Sequence, residues 1–211
     1  MDNSRFSTQK FEATPIVGIL RGLDLEATLN IAEAFSKAGL TTLEITMNSP
    51  NIETVLPEVV RLFPELNIGA GTVCSQEELD KAIDLGSQFI VTPIIDVDVI
   101  KNCVKKEIPI FPGAYTPTEI YTAWSLGATA VKVFPATQLG TTYIKDVLAP
   151  LNTIKLLPTG GVSLDNISSF FAAGAYGVGM GSSLIDKKMV ASKDYQSLES
   201  HFKSIKKAAS V

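Results

Sequence analysis

The sequence predicts an α/β protein, a single-domain (β/α)8 TIM barrel that spans residues 1–211 and carries a short N-terminal helical extension. Three observations predict this fold: a length of 211 residues with 45% hydrophobic content, short apolar runs that recur along the whole chain, and helical segments between them. Eight such runs begin near residues 15, 41, 67, 88, 109, 129, 154 and 175. No long linker or shift in composition separates them, which favours one domain.

The segments between the runs have the composition, the period and the end signals of helices. In DLEATLNIAEAFSKAG, Asp24 is placed to cap a helix and Gly39 to end it. SQEELDKAIDLG, TPTEIYTAWSLG and SLDNISSFFAAG repeat this arrangement, with a hydroxyl residue near the start and a glycine at the end. A doubly wound open sheet is the alternative fold. The loose glycine pattern GVGMGSS lies at the eighth run and not the first, which argues against a dinucleotide-binding fold.

Charge and composition indicate a small-molecule partner. The net charge is −4, from 18 basic and 22 acidic residues without a long run of either sign, so we expect no nucleic acid and no anionic membrane as partner. We also expect no signal peptide, because the stretch MDNSRFSTQKFEATP has no apolar core of the required length. We expect no membrane span, because the longest uncharged segment, residues 166–185, is broken by glycines and serines. Cys74 and Cys103 lack metal or redox spacing, which favours core-filling thiols and a cytoplasmic location.

Two ionisable residues fall inside apolar runs. In TTLEITM, strand alternation places Glu44 on one face and the apolar residues on the other face, which should contact the helices. The same alternation in ATAVKVFPA directs Lys132 inward. These two residues could form a buried ion pair, or they could act as a carboxylate acid/base and a nucleophilic amine. Lowering a lysine pKa from about 10.4 to 7 or 8 requires roughly 3 to 4.5 kcal/mol of charge destabilisation, which an apolar interior can supply if Glu44 is not in direct contact.

Two glycine-rich turns follow the last two runs, in PTGGVSLDN and GMGSSL. Backbone N–H groups in such turns can bind a phosphate, and the last two loops are the usual phosphate site of this barrel class. Tight-turn geometry alone is the other explanation for these glycines. The expected phosphate-binding residues are Gly160, Gly161, Gly181 and Ser182. Arg21, which follows the first run, is a candidate for binding a carboxylate or a phosphate.

The single histidine limits the possible chemistry. His201 lies in the amphipathic C-terminal stretch YQSLESHFKSIKKA, where packing or surface positions are the usual role. A histidine-rich metal site is therefore excluded, a Ser/His/Asp triad is disfavoured, and we expect no metal and no cofactor. Chemistry without these groups points to the amine of Lys132.

The ordered motifs PIVGILRG, LEITMNSP, GAGTV, FIVTP, PGAYTPTE, VKVFPA, LPTGGVSLDN and GVGMGSSL resemble one family over nearly the whole chain. This family is the class I 2-keto-3-deoxy-6-phosphogluconate and 2-keto-4-hydroxyglutarate aldolases, together with their 6-phosphogalactonate relatives. The resemblance implies a metal-independent lyase, commonly a homotrimer, acting on a phosphorylated keto acid. It further implies that Lys132 is the Schiff-base lysine and that Glu44 is the acid/base acting through a nearby water.

The resemblance also suggests residues that contact the substrate. Thr72 in GAGTV and Pro93 in VTP match positions that line the pyruvyl pocket, and Thr159 matches the substrate-tail end. The chain departs from the gluconate pattern at Asn48, where those enzymes carry an arginine that holds the substrate carboxylate. Asn48 is similar to the galactonate branch, whereas Thr159 is similar to the gluconate branch. We therefore expect Arg21 to bind the carboxylate.

The sequence leaves several functions open. The first is cleavage of 2-dehydro-3-deoxy-6-phosphogluconate to pyruvate and D-glyceraldehyde 3-phosphate, with 4-hydroxy-2-oxoglutarate, which would give pyruvate and glyoxylate, as a further substrate. The alternative substrate is 2-dehydro-3-deoxy-6-phosphogalactonate. More distant alternatives are a phosphosugar isomerase or epimerase, in which Lys132 is an electrostatic clamp, and a non-catalytic phosphosugar-binding barrel.

Overall fold

The structure, a computed structural model, describes residues 5–209, in which strands and helices alternate along the chain. The strands are β1 (Ile16–Leu20), β2 (Thr42–Thr46), β3 (Asn67–Gly71), β4 (Ile90–Val91), β5 (Ile110–Phe111), β6 (Gly113–Ala114), β7 (Val131–Val133), β8 (Leu156–Pro158) and β9 (Val178–Met180). The helices are α1 (Thr8–Ala13), α2 (Leu25–Lys37), α3 (Ile52–Leu62), α4 (Gln76–Asp84), α5 (Val97–Lys105), α6 (Pro117–Ser125), α7 (Gly140–Leu148), α8 (Ile167–Ala172), α9 (Lys187–Ala191) and α10 (Tyr195–Ala209). No helix in this part of the chain is long and apolar enough to cross a membrane.

All of the strand pairs are parallel. One sheet has six strands in the order β5-β4-β3-β2-β1-β9, and the other has three in the order β6-β7-β8. Within each sheet, strands that are adjacent in the sequence pair with each other, and β9 returns to lie beside β1. This order confirms the predicted parallel α/β fold of strand–helix units, in which the carboxyl ends of all strands lie at one end of the molecule.

The predicted eight-stranded ring is not one continuous ladder of hydrogen bonds. The fifth apolar run, PIFPG, is divided into β5 and β6 by Pro112, which has no N–H to donate. The carbonyl of Pro112 still accepts a hydrogen bond from the N–H of Lys132 at 2.9 Å. Between β8 and β9 the pairing is reduced to one bridge, from Thr159 to Gly179.

The helix ends follow the sequence signals in most cases. Asp24 caps α2 by accepting from the N–H of Ala27, and Gly39 follows the helix with a φ of 75°. At α6, Thr116 and Glu119 form a complete capping box. The expected hydroxyl cap of α8 is wrong. There the side chain of Asn166 accepts from the N–H of Ser163 and donates to the carbonyl of Gly161, so the amide closes this turn and the helix begins only afterwards.

The strands have two apolar faces. The outer face packs against the helices, and it includes the alternate residues Leu43 and Ile45 of β2, as predicted. The opposite face, here called the inner face, carries an aromatic cluster near the amino ends of the strands. Phe11 of α1 is 1% exposed, and its ring centroid lies 5.9 Å from that of Phe111 and 5.5 Å from that of Tyr176. The amino end of the inner face is therefore filled with side chains.

Asn67 anchors the segment that leads into α1. Its side-chain Oδ1 accepts from the N–H of Ser7 at 2.8 Å, and its Nδ2 donates to the Ser7 carbonyl at 3.0 Å. Nδ2 also donates to Oγ1 of Thr42, which lies beside it on the inner face at 3.1 Å. The predicted helical extension is thus tied to β3, and it covers the end of the sheets opposite to the carboxyl ends.

Candidate active site

Lys132 lies in the middle of β7, and its side chain is on the inner face. It is 4% exposed, and its Nζ lies 4.7 Å from the ring centroid of Phe134. Burial lowers the pKa of the Lys132 amine, the charge of Glu44 opposes this effect, and the guanidinium of Arg21 adds to it. A lowered pKa increases the neutral fraction of the amine, which is the form that can attack a carbonyl carbon.

Glu44 lies in β2 and is 1% exposed. Burial raises the pKa of its carboxyl group, while the positive charges of Lys132 and Arg21 act in the opposite direction. The carboxyl group occupies space left by a glycine on the next strand, because a Cβ at Gly71 would lie 1.6 Å from Oε1 of Glu44. Any larger residue at position 71 would displace this carboxyl group.

The two ionisable residues do not form a direct ion pair. Neither Oε1 nor Oε2 of Glu44 has a hydrogen-bond partner among residues 5–209, although both atoms are buried. A buried charge without a partner costs several kcal/mol, so such an arrangement is uncommon unless the group has another use. The charge of each residue therefore affects the pKa of the other, although the two side chains do not touch. Without a direct ion pair to stabilise its ammonium form, a buried lysine can lose its proton more easily.

Arg21 is held at the carboxyl ends of the neighbouring strands. Its Nη1 donates to Oδ1 of Asn48 at 3.3 Å, and its Nη2 donates to Oγ1 of Thr72 at 3.2 Å. The structure therefore brings together three of the predicted substrate-binding residues, which follow β1, β2 and β3. Their contacts orient a guanidinium that acts on the pKa of both Lys132 and Glu44.

Pro93 follows β4 and is half-buried. Its backbone lies against β6, since a Cβ at Gly113 would be 2.5 Å from the Pro93 carbonyl carbon and from its oxygen. Gly113 is paired in register with Lys132. Pro93 is thus one strand away from the lysine.

A cavity of about 560 Å³ opens at the carboxyl ends of β1, β8 and β9. Six of the predicted site residues line it: Arg21, Thr159, Gly160, Gly161, Gly181 and Ser182. The remaining predicted residues, Lys132, Glu44, Asn48, Thr72 and Pro93, are not part of this lining. Phe134 connects the two groups, because its ring lies over the Lys132 amine and also lines the cavity.

The glycine turn after β8 presents unused backbone donors to this cavity. Gly160 has a φ of 94° and Gly161 a φ of 75°, values that favour glycine. In the described part of the chain, neither of their N–H groups donates to another backbone carbonyl. The hydroxyl of Ser183 donates to the carbonyl of Val162, so the turn after β9 is tied to the turn after β8. Such paired donors can bind an anion.

The side chain of Thr159 is buried between the two turns. It is 5% exposed, and its Oγ1 donates to the carbonyl of Leu157 at 3.3 Å. A Cβ added at Gly179 would lie 2.3 Å from this Oγ1 of Thr159. Glycine at position 179 therefore makes room for Thr159 in the cavity wall.

Sequence reasoning missed three contacts around the site. Phe134 could have been found, since strand alternation puts it on the same face as Lys132. Lys187 lines the cavity from the start of α9, more than 160 residues after Arg21, and no motif marks it. Nε2 of His201 lies 3.2 Å from the Ser183 carbonyl, so this histidine packs against the second glycine turn.

The structure also corrects the interpretation of one cysteine. Cys103 is buried, as expected of a core-filling thiol, but Cys74 is exposed. It follows β3 at the carboxyl end of the sheet, and its Sγ donates to the carbonyl of Thr72. Within residues 5–209, no group of three or more histidine, cysteine, aspartate or glutamate side chains lies close enough to hold a metal ion.

Comparison with known proteins identifies the family. A sequence model of the KDPG and KHG aldolase family matches residues 8–201. The chain is 38% identical over 172 residues to the 2-dehydro-3-deoxy-6-phosphogalactonate aldolase of Escherichia coli (strain K12), a match covering 81% of this chain and 84% of that protein. It is 31% identical over 191 residues to a 2-dehydro-3-deoxy-phosphogluconate aldolase of Haemophilus influenzae, covering 90% of each chain.

Solved structures agree with this assignment. A structure described as native KDPGal superposes with a TM-score of 0.86 at 33% identity, and the match covers 98% of this chain and all of the other. The parallel strand order described above agrees with these matches. The chain belongs to the KDPG and KHG aldolase family, and it is an aldehyde-lyase.

Proposed function

We propose that the protein cleaves a 2-dehydro-3-deoxy-6-phosphoaldonate to pyruvate and D-glyceraldehyde 3-phosphate through a Schiff base at Lys132. The observation that carries this proposal is the burial of the Lys132 amine beside a carboxyl group that it does not contact. Burial lowers the pKa of this amine, and Lys132 is the only buried lysine among residues 5–209. The proposal treats residues 1–211 as one aldolase domain, supported by a family match over residues 8–201.

The reaction begins with attack of the neutral Lys132 amine on the C2 ketone of the substrate. Loss of water gives a protonated imine, which accepts the electron pair of the C3–C4 bond when that bond breaks. The C4 hydroxyl proton leaves at the same time, and the aldehyde product departs. Protonation of the resulting enamine at C3, followed by hydrolysis, releases pyruvate and restores the free amine.

Glu44 is the group that takes and returns these protons. Its two oxygens have no partner among the described residues, so they are available to a substrate hydroxyl or to a bridging water. Burial raises the pKa of its carboxyl group, and this brings the group nearer to the neutral range in which an acid/base works best. The separation from Lys132 leaves space for a reacting group.

Arg21 binds the substrate carboxylate in this proposal, assisted by Asn48 and Thr72. A guanidinium held by two side chains is pre-organised for a planar carboxylate, and its charge helps to keep Lys132 unprotonated. Pro93 lines the pyruvyl side and Thr159 the tail of the substrate. The phosphate lies against Gly160, Gly161, Gly181 and Ser182, whose turns border the cavity.

Borohydride trapping tests the covalent step. Reduction in the presence of pyruvate is expected to add a pyruvyl group to Lys132, because only an imine is reduced to a stable secondary amine; peptide mass spectrometry locates the adduct. Lys155→Met is the matched control and should keep the adduct, since Lys155 is exposed and its Nζ lies over the ring of Tyr176. Lys132→Met should lose it.

An adduct on Lys155, or none at all, contradicts the proposed Schiff base. The isomerase alternative makes a different prediction for Lys132→Arg, which retains the charge and cannot form an imine. A variant that keeps most of the turnover would support the electrostatic role. Binding without any turnover would support the non-catalytic alternative.

We infer that the galactonate epimer is the preferred substrate. Asn48 supports this choice, because it is similar to the galactonate branch, whereas the gluconate-type enzymes carry an arginine at this position. In this chain the side chain of Asn48 accepts a hydrogen bond from Arg21, so the positive charge here comes from Arg21. The identity to the galactonate-type relative, 38% against 31% for the gluconate-type relative, also supports it. Thr159 favours the gluconate epimer, which is the second candidate, and 4-hydroxy-2-oxoglutarate is a further one.

An assay of both 6-phosphate epimers separates the two candidates. The epimers differ only at the C4 hydroxyl, so a preference reports the contacts made by that group. Pyruvate release, coupled to lactate dehydrogenase, is expected to be about tenfold or more faster for the galactonate epimer, a factor that corresponds to roughly 1.4 kcal/mol. An equal or larger preference for the gluconate epimer would contradict the inference from Asn48.

Two structural proposals accompany the function. We infer that the two sheets are arcs of one eight-stranded barrel, supported by the single residue Pro112 between β5 and β6 and by the bridge between β8 and β9. A crystal structure with the sheets splayed apart at either junction would contradict this inference.

We expect a cytoplasmic location, supported by the two free thiols.

We also propose that the protein is a homotrimer. Five of the exposed large apolar side chains in the described part of the chain fall in one stretch of sequence: Ile94, Val97, Val104, Tyr115 and Tyr121. These residues lie on or just before the consecutive helices α5 and α6, and their exposure supports an interface on this side of the protein. Sedimentation equilibrium should give the mass of three chains, and a mass of one chain would contradict the proposal.

A further inference from the structure

A lysine on α9 adds a positive charge to the wall of the cavity. Lys187 lines the cavity together with Gly160, Gly161 and Ser182. Within residues 5–209 its ammonium group forms no ion pair and no hydrogen bond. The preceding carboxylate does not neutralise it, because Oδ1 of Asp186 accepts from the N–H groups of Lys188 and Met189 at 2.7 and 3.2 Å.

Among the residues that the structure describes, those lining the cavity include two cations, Arg21 and Lys187, and no aspartate or glutamate. Arg21 is tied to Asn48 and Thr72, on the side from which it affects the pKa of Lys132. Lys187 has no such ties and shares the cavity wall with the glycine turns. The two cations therefore differ in position and in freedom to move.

This difference matches the charge of the proposed substrate, which carries a carboxylate at C1 and a phosphate at C6. A planar, pre-oriented guanidinium suits the carboxylate, whereas a flexible ammonium suits a phosphate as a mobile point charge. Free backbone N–H groups at Gly160 and Gly161 would supply the hydrogen bonds, and Lys187 would supply the opposite charge.

Other lysines of the same region are not equivalent. Lys193 is paired with Glu26 at 2.6 Å. Lys188 is exposed on the same short helix and is not part of the cavity lining. Lys187 is therefore the lysine of α9 that both faces the cavity and is free to bind an anion.

Resting on the proposed aldolase function, we propose that Lys187 binds the substrate phosphate and sets the preference of this site for phosphorylated over unphosphorylated keto acids. The dephosphorylated form of the same keto acid has no anion at C6, so its binding does not use Lys187. The residue acts on substrate specificity and takes no part in the chemistry at C2 to C4.

The test compares Lys187→Met, Lys187→Arg and the matched control Lys188→Met. Lys187→Met should raise KM for the 6-phosphorylated substrate about tenfold, the usual scale for one charge-assisted contact to phosphate, with little change in kcat. Its kcat/KM for the dephosphorylated form of the same substrate should be unchanged. Lys187→Arg should recover much of the loss, and Lys188→Met should behave as the unmodified protein.

Binding of inorganic phosphate, followed by titration calorimetry, gives a readout that does not depend on turnover. Affinity should fall about tenfold in Lys187→Met and remain unchanged in Lys188→Met. If the unmodified protein showed no aldolase activity but Lys187→Met still weakened phosphate binding, the proposed function would be disproved and phosphate binding by Lys187 would stand. Equal phosphate affinity in both variants, or an equal loss of kcat/KM for both substrate classes, would overturn the role of Lys187.

Discussion

The burial of one amine without a counterion is the constraint on which the rest of the site depends. Lys132 is inside the molecule because β7 is the middle strand of its sheet, between β6 and β8, and the lysine side chain lies on the inner face. Desolvation disfavours its charged form, and this effect is kept because Glu44 does not contact it. A direct salt bridge between them would stabilise the ammonium ion and would leave the lysine unreactive at neutral pH.

The two ends of the inner face have different roles, one in stability and the other in function. At the amino ends, Phe11 of α1 and the aromatic cluster around it fill the space with apolar side chains. Towards the carboxyl ends, glycines make room for polar side chains: Gly71 for the carboxyl group of Glu44 and Gly179 for the side chain of Thr159. The same fold thus supplies a packed core at one end and room for a substrate at the other.

The sequence was sufficient to predict the features that rest on local pattern. Strand alternation placed Lys132 and Glu44 on the inner face, and the helix signals at Asp24 and Gly39 matched the ends of α2. It could not show that the two ionisable residues are separated, because that distance depends on how several strands pack. Lys187 was missed for a similar reason: it reaches the cavity only because α9 follows β9, and nothing near it in the sequence suggests a ligand.

The pKa of Lys132, measured by NMR from the titration of its ¹³Cε resonance in labelled protein, tests the central claim most directly. The folded pKa should lie below 10.5, the ordinary value, because burial disfavours the ammonium ion. In Glu44→Gln it should fall further, since the carboxylate that raises it has been removed. A pKa at or above 10.5, or a rise in the Glu44→Gln variant, would contradict the account.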